Sequence, residues 1–152
     1  MTENRDYRHL FNDHLELLTK LASDSIIYYK HAAALLCGTN LYSLGINKFV
    51  GEFKDKDNKV HYKTVHAEIN VFKNFPKKNV KGMDILVIRI NKKFVLKNSR
   101  PCNQCIDKLR KIGIRRVYYS NDEGSITSEN VEMMEKRHVS SGTRHLVKCL
   151  SN

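Results

Sequence analysis

Apolar residues recur along the first third of the chain in two different rhythms. Phe11, Leu15, Leu18, Leu21 and Ala22 fall at three- and four-residue steps, the spacing that lines one face of an amphipathic helix. Residues 31–37, His-Ala-Ala-Ala-Leu-Leu-Cys, are apolar almost throughout and end at Gly38-Thr39-Asn40. A short apolar run closed by turn residues predicts a buried strand entering a hairpin. Residues 41–47 are its expected partner, with Gly45 easing a close backbone approach or a bulge. Residues 48–65 are polar and charged around Lys54-Asp-Lys-Asp-Asn-Lys59. They predict a long loop, of a length that is often functional inside a compact domain.

The helical rhythm returns at Val65. Val65, Ile69, Phe72 and the nearby Phe75 share a face, and Pro76 stops the helix. Residues 83–90 are dominated by Ile, Leu and Val and read as a central strand. A further helix is signalled at both ends. Asn98 or Ser99 is its expected cap, Pro101 suits its first turn, and Gly113 suits the position past its end. Its buried stripe is Ile106, Leu109 and Ile112. Residues 116–120 predict another strand, residues 121–124 a turn, and residues 125–131 an antiparallel return. A final helical segment, broken at Ser140-Ser141-Gly142, completes the chain. Strands alternating with helices at this spacing predict an α/β domain of two or three layers around one mixed sheet.

The 152 residues suit a single domain over 1–152. At 41% hydrophobic and 28% charged residues, the chain has enough apolar surface for one core. No run approaches 18 apolar residues, and the start MTENRDYRHL lacks the apolar stretch of a signal peptide. The expectation is an intracellular protein of the cytoplasm or nucleus, making no membrane contact. There the four cysteines would be reduced, metal-bound or catalytic. The net charge of +11 suggests a polyanionic partner or a phosphorylated substrate. The basic residues are nevertheless spread out, with no block of five like charges, so charge alone does not single out nucleic acid.

Two fragments carry chemistry: His66-Ala67-Glu68, and Pro101-Cys102-Asn103-Gln104-Cys105, each at an expected helix start. Cys102 and Cys105, three apart, project to the same side of a first helical turn. A helix N-terminus favours their thiolate form, the form that binds metal. Two thiolates and one imidazole make a three-ligand set, and a tetrahedral zinc leaves its fourth position to water, the mark of a catalytic ion. Zinc lowers the pKa of such a water to about 7. Glu68 is placed to take the proton and pass it to a ring nitrogen and then to a leaving amine, which is hydrolytic deamination.

Alone, H-x-E says little, and C-x-x-C also fits a redox pair or half a zinc finger. The redox reading leaves His66 and Glu68 unexplained. The zinc-finger reading lacks a fourth ligand, since His61, Cys37 and Cys149 have no ligand-like spacing to the pair. Cys37 and Cys149 read as small buried hydrophobes. His9, His14, His31, His138 and His145 read as structural or solvated, and Tyr118 and Tyr119 as strand packing. Residues 140–144 suit a turn between helices as well as a phosphate cradle.

H-A-E followed by P-C-x-x-C resembles the cytidine deaminase superfamily, and the order of elements over roughly residues 10–120 follows that family's core. The resemblance implies a three-layer α-β-α sandwich with a mixed five-stranded sheet and one zinc ion between two helix N-termini. It implies a base-contacting asparagine at the end of the second strand, where Asn47 stands, and a pocket lined by the backbone of Ala67. It also implies self-association, since relatives with this core commonly form dimers or tetramers.

The substrate is less determined. An antiparallel fourth and fifth strand resembles the free cytidine deaminases, whereas a histidine ligand resembles the deoxycytidylate, tRNA-adenosine and polynucleotide deaminases. Lys48, Lys54, Lys56 and Lys63, if near the site, favour a phosphate-bearing substrate. The leading expectation is conversion of cytosine to uracil in a nucleoside, a nucleotide or a single-stranded nucleic acid. The alternatives are an adenine-directed nucleic-acid deaminase and a non-catalytic, zinc-stabilised nucleic-acid-binding module.

Overall fold

The computed structural model describes residues 5–73 and 79–137. Phe75, Pro76, His138, His145, Cys149 and the segment around Ser140-Ser141-Gly142 lie outside the described residues. The elements run α1 (Asn12–Ser23), β1 (Lys30–Cys37), β2 (Asn40–Ile46), β3 (Lys48–Lys54), β4 (Val60–Val65), α2 (Ala67–Asn70), β5 (Asp84–Ile90), β6 (Leu96–Lys97), α3 (Asn103–Ile112), β7 (Arg116–Ser120) and β8 (Ile126–Asn130).

The central sheet has the order β2-β1-β5-β7-β8, with the two-residue β6 added against β5. Only β5 and β7 run parallel, joined through α3; the other pairs are antiparallel, so the sheet is mixed. Side chains alternate across it, as strand geometry requires. On one face Ala32, Ala34 and Leu36 of β1, and Leu86, Ile88 and Ile90 of β5, pack with Phe11, Leu18 and Ala22 of the α1 region. On the other, Ala33, Leu35, Ile85 and Val87 pack with Ala67, Ile106 and Leu109 of α2 and α3. This is the three-layer α-β-α sandwich expected from the motifs. Tyr119 joins the α2–α3 side, while Tyr118 meets Phe11 edge-on at 4.9 Å on the opposite side, so both tyrosines pack.

Four local expectations change, the burial of Cys37 among them. Residues 48–65 form an antiparallel hairpin, β3 paired with β4, in place of a loop. Its apolar residues are spaced by lysines and a β-bulge between Phe49 and Gly51, which hides the strand alternation. The second helix starts at Ala67, because Val65 is still paired to Lys48 as the last residue of β4. The third is capped at Cys102 in place of Asn98 or Ser99. The Ser99 hydroxyl donates instead to Val87 O at 2.8 Å, and the Ser99 amide to Ser120 O at 2.9 Å, tying that residue to the sheet. Gly113 ends α3 with φ 90°, as its missing Cβ permits. Cys37 is exposed, since β1 ends there opposite Asn40 at the hairpin turn.

Gly45 marks where β2 and α2 touch. A Cβ there would stand 2.8 Å from Val71 N and 2.9 Å from Ala67 O, and both are backbone atoms without room to move. Gly45→Ala is therefore expected to destabilise the fold by about 1–3 kcal/mol through overpacking. Urea unfolding measures it, and a variant as stable as the parent would show that α2 is not seated on β2 at this point.

Candidate functional site

His66 and Cys102 hold equivalent places in the chain. Each is the last extended residue before a helix: His66 at φ −77°, ψ 150° before α2, Cys102 at φ −71°, ψ 167° before α3. Neither side chain caps its own helix, so imidazole and thiol remain available to one another. Cys105 follows one turn into α3 and is buried.

Upstream of Cys102, Arg100 fixes the approach to α3. Its Nε donates to Glu129 Oε2 at 2.8 Å and its Nη2 to Glu135 O at 2.7 Å. Tyr119 donates to the same carboxylate at 2.6 Å. Burial pushes the Tyr119 phenol up to about 12, with the Glu129 hydrogen bond adding to it. The Glu129 carboxyl is held below its ordinary value because the Arg100 and Tyr119 hydrogen bonds outweigh burial.

The donor atoms of His66, Cys102 and Cys105 lie within 4.8 Å of one another, the one such group among the described residues. His66 Nδ1 stands 3.1 Å from Cys105 Sγ and 3.6 Å from Cys102 Sγ. A tetrahedral zinc, with Zn–S about 2.3 Å and Zn–N about 2.0 Å, separates its ligand atoms by roughly 3.5–3.8 Å. The donor types fit that ion and the His66–Cys102 spacing falls in this range, while His66 and Cys105 would part by a few tenths of an ångström to admit it. The electrostatics fit as well. The Cys102 thiol is pushed down to about 3, first by a hydrogen bond from Cys105 and then by His66, against burial. Cys105 is pushed far up by the same shared hydrogen bond and by burial. His66 is raised, first by its contact with Cys102. The set thus holds a thiolate beside a proton that a metal ion would displace.

Glu68 is buried on α2. Its charge acts on Cys105, His66 and His31. The carboxylate thus stands at the donor cluster, not across the helix from it. Ala67 is fully buried against Ala33 and Leu35, beneath the same cluster.

Asn47 follows β2 directly and is buried. Its Oδ1 accepts from Ser25 Oγ at 2.8 Å and from His31 N at 3.0 Å, and its Nδ2 donates to Tyr29 O at 2.5 Å. The amide is thereby locked in one orientation, its Nδ2 also lying 3.5 Å from His31 Nδ1. His31, read from sequence as structural or solvated, belongs to this neighbourhood. It shares the strand parity of Ala33 and Leu35, so its ring lies on the α2–α3 side of β1. Its Nδ1 is 3.0 Å from Tyr29 O, and burial lowers its pKa while the Glu68 charge opposes that shift. That parity was visible in the sequence once β1 was assigned. Ser25, which orients Asn47, left no such signal.

The family model described as "Cytidine and deoxycytidylate deaminase zinc-binding region" matches residues 12–121. The dCMP deaminase of the cyanophage S-TIM5, solved with dCMP and dUMP, aligns at TM-score 0.50 and 18% identity over 74% of this chain and 79% of its own. Its apo form aligns at TM-score 0.50 and 16% identity over 93% and 90%. Cytidine deaminase from Burkholderia pseudomallei aligns at TM-score 0.52 and 12% identity over 84% and 94%. No curated protein sequence matches. At these identities the solved structures speak to the fold alone, whereas the family model spans both motif-bearing helices. The chain therefore belongs to the cytidine and deoxycytidylate deaminase family, whose members are zinc-dependent hydrolases acting on C–N bonds.

Proposed function

We propose that this protein is a hydrolytic deaminase that converts cytosine to uracil in a nucleoside, a nucleotide or a single-stranded nucleic acid. One zinc ion is held by His66, Cys102 and Cys105; Glu68 carries the protons; Asn47 and the backbone of Ala67 bound the substrate pocket. The observation that carries this reading is the convergence of the three donors within 4.8 Å, with the buried carboxylate of Glu68 on the helix that His66 begins. A zinc-stabilised binding module gives a buried carboxylate at that spot no task. The matching family model, that of the cytidine and deoxycytidylate deaminases, supports a cytosine-bearing substrate over an adenine-bearing one. The residues fit one domain, and self-association follows the family pattern.

Zinc in this setting supplies Lewis acidity, which makes water nucleophilic at neutral pH. The rest falls to the chain. Glu68, at 4% exposure, is screened from bulk water, so a proton it accepts is handed on within the pocket. It takes a proton from the attacking water as the new C4–O bond forms and gives it to ring N3. It then moves the second proton to the exocyclic amine, which leaves as ammonia when the C4–N bond breaks. Asn47, pinned by Ser25, Tyr29 and the His31 amide, with His31 Nδ1 also near its Nδ2, keeps its amide in one orientation at the pocket. That fixed geometry lowers the entropy of placing the substrate.

Replacing Glu68 with alanine should cut turnover of cytidine, dCMP or an oligonucleotide by about 10²–10⁴-fold with zinc retained. Ammonia release and elemental analysis on one preparation test this; a variant with parental turnover would remove Glu68 from the chemistry. Cys102→Ser and Cys105→Ser should each lower zinc stoichiometry and the unfolding temperature together, since binding and folding are linked. Full zinc content in the double variant would mean that other residues hold the ion.

A further inference from the structure

The β3–β4 hairpin leaves the fold between Asn47 and His66, with Lys48 paired to Val65, so its base sits on the two residues that flank the proposed pocket. Its strands pair only with each other among the described residues. An isolated two-stranded hairpin is marginal in water, and this one is stiffened from within. Asp55 Oδ1 accepts from Asp57 N at 2.9 Å and Lys59 N at 3.0 Å, and its Oδ2 lies 2.7 Å from His61 Nε2. Phe53 stacks on His61 with ring centroids 5.0 Å apart. Asn58 closes the turn in the left-handed region, at φ 64°.

The bulge after Phe49 shifts the side-chain parity and brings Phe49 onto the face of Tyr62, 5.5 Å between centroids. That face is open to solvent, with Phe49 43% and Tyr62 64% exposed. Around it, residues 48–65 carry five lysines against three acidic residues, and one of those acids, Asp55, is engaged by His61. A second aromatic and cationic patch adjoins the pocket from β1. Tyr28 and Tyr29 pack edge-to-face at 4.9 Å, with the Arg89 guanidinium 5.3 Å from the Tyr29 ring and Lys92 Nζ 5.9 Å from the Tyr28 ring. The Tyr29 carbonyl is the one that holds Asn47.

Rigid exposed rings interleaved with cations are what a flexible polyanion of stacked bases requires. A mononucleotide, with one base and one phosphate, would leave both patches uncovered. A second copy seated hairpin against hairpin would set the lysines of residues 48–65 against one another. We propose that the hairpin is a platform for single-stranded nucleic acid, on which Phe49 and Tyr62 stack bases neighbouring the target while Lys54, on the same face by register, meets phosphate. The inference rests on the deaminase reading for what enters the pocket, and on the hairpin alone for binding.

The test is fluorescence anisotropy of the zinc-loaded full chain, carrying Glu68→Ala to prevent turnover, with a labelled 15-nucleotide single-stranded DNA, the matching RNA, and the same DNA as duplex. Single strands are expected to bind more tightly than duplex. Tyr62→Ala and Phe49→Ala should each weaken single-strand binding about 5- to 150-fold, and Tyr62→Phe should restore it. Lys54→Glu should weaken binding and flatten its salt dependence. Thermal melts and zinc content certify that each variant is folded. Duplex bound as tightly as single strand, variants that bind like the parent, or a hairpin-dependent dimer in gel filtration would each overturn the proposal. Turnover of dCMP without oligonucleotide binding would sink the platform and keep the deaminase. Hairpin-dependent binding with no turnover of any cytosine substrate would keep the platform and sink the deaminase.

Discussion

Two short helices begin at the same place, and most of the molecule is arranged to keep them there. His66 and Cys102 are both extended residues at the last step before a helix, so each chain arrives from the sheet and turns away just after presenting its ligand. An imidazole and two thiols brought this close, and buried, are poor neighbours for one another unless a cation or shared protons lie between them. A proton shared between Cys102 and Cys105 would be the second solution. A divalent ion supplies the first.

The supports of this junction come from opposite directions. On one side, β2 presses α2 through the bare backbone of Gly45, and Asn70 Nδ2 donates to Ile46 O at 3.0 Å across the same contact. On the other, Arg100, gripped by Glu129 and the Glu135 carbonyl, aims Pro101 and Cys102. Beneath both, Ala33, Leu35, Ile106 and Leu109 form one apolar floor, while the α1 side of the sheet packs independently. The small residues of β1 are part of this design. Alanine at positions 32–34 leaves room for helices to approach from both faces.

The layers and the ligand set were legible in the sequence because each is written in a local rule. Continuous apolar runs identified β1 and β5, three- and four-residue apolar spacing identified α1 and α3, and Gly113 marked the end of α3, where it takes a left-handed φ. Other features depend on contacts distant in sequence. Ser99 has the chemistry of a helix cap, but the sheet claims its hydroxyl, and the cap passes to Cys102. Cys37 lies in an apolar run yet is exposed because the strand ends there. The hairpin was hidden by its bulge and its lysines. Its aromatic pair, Phe49 and Tyr62, is thirteen residues apart in sequence and meets only once the register is known.

The account stands or falls on one imidazole and two thiolates sharing an ion at the meeting of α2 and α3. X-ray absorption at the zinc edge of the purified protein measures that sphere directly. The account predicts two sulfur ligands at about 2.3 Å and one imidazole nitrogen at about 2.0 Å, the remaining ligand being a light atom. A shell of four sulfurs, or one without sulfur, would contradict it.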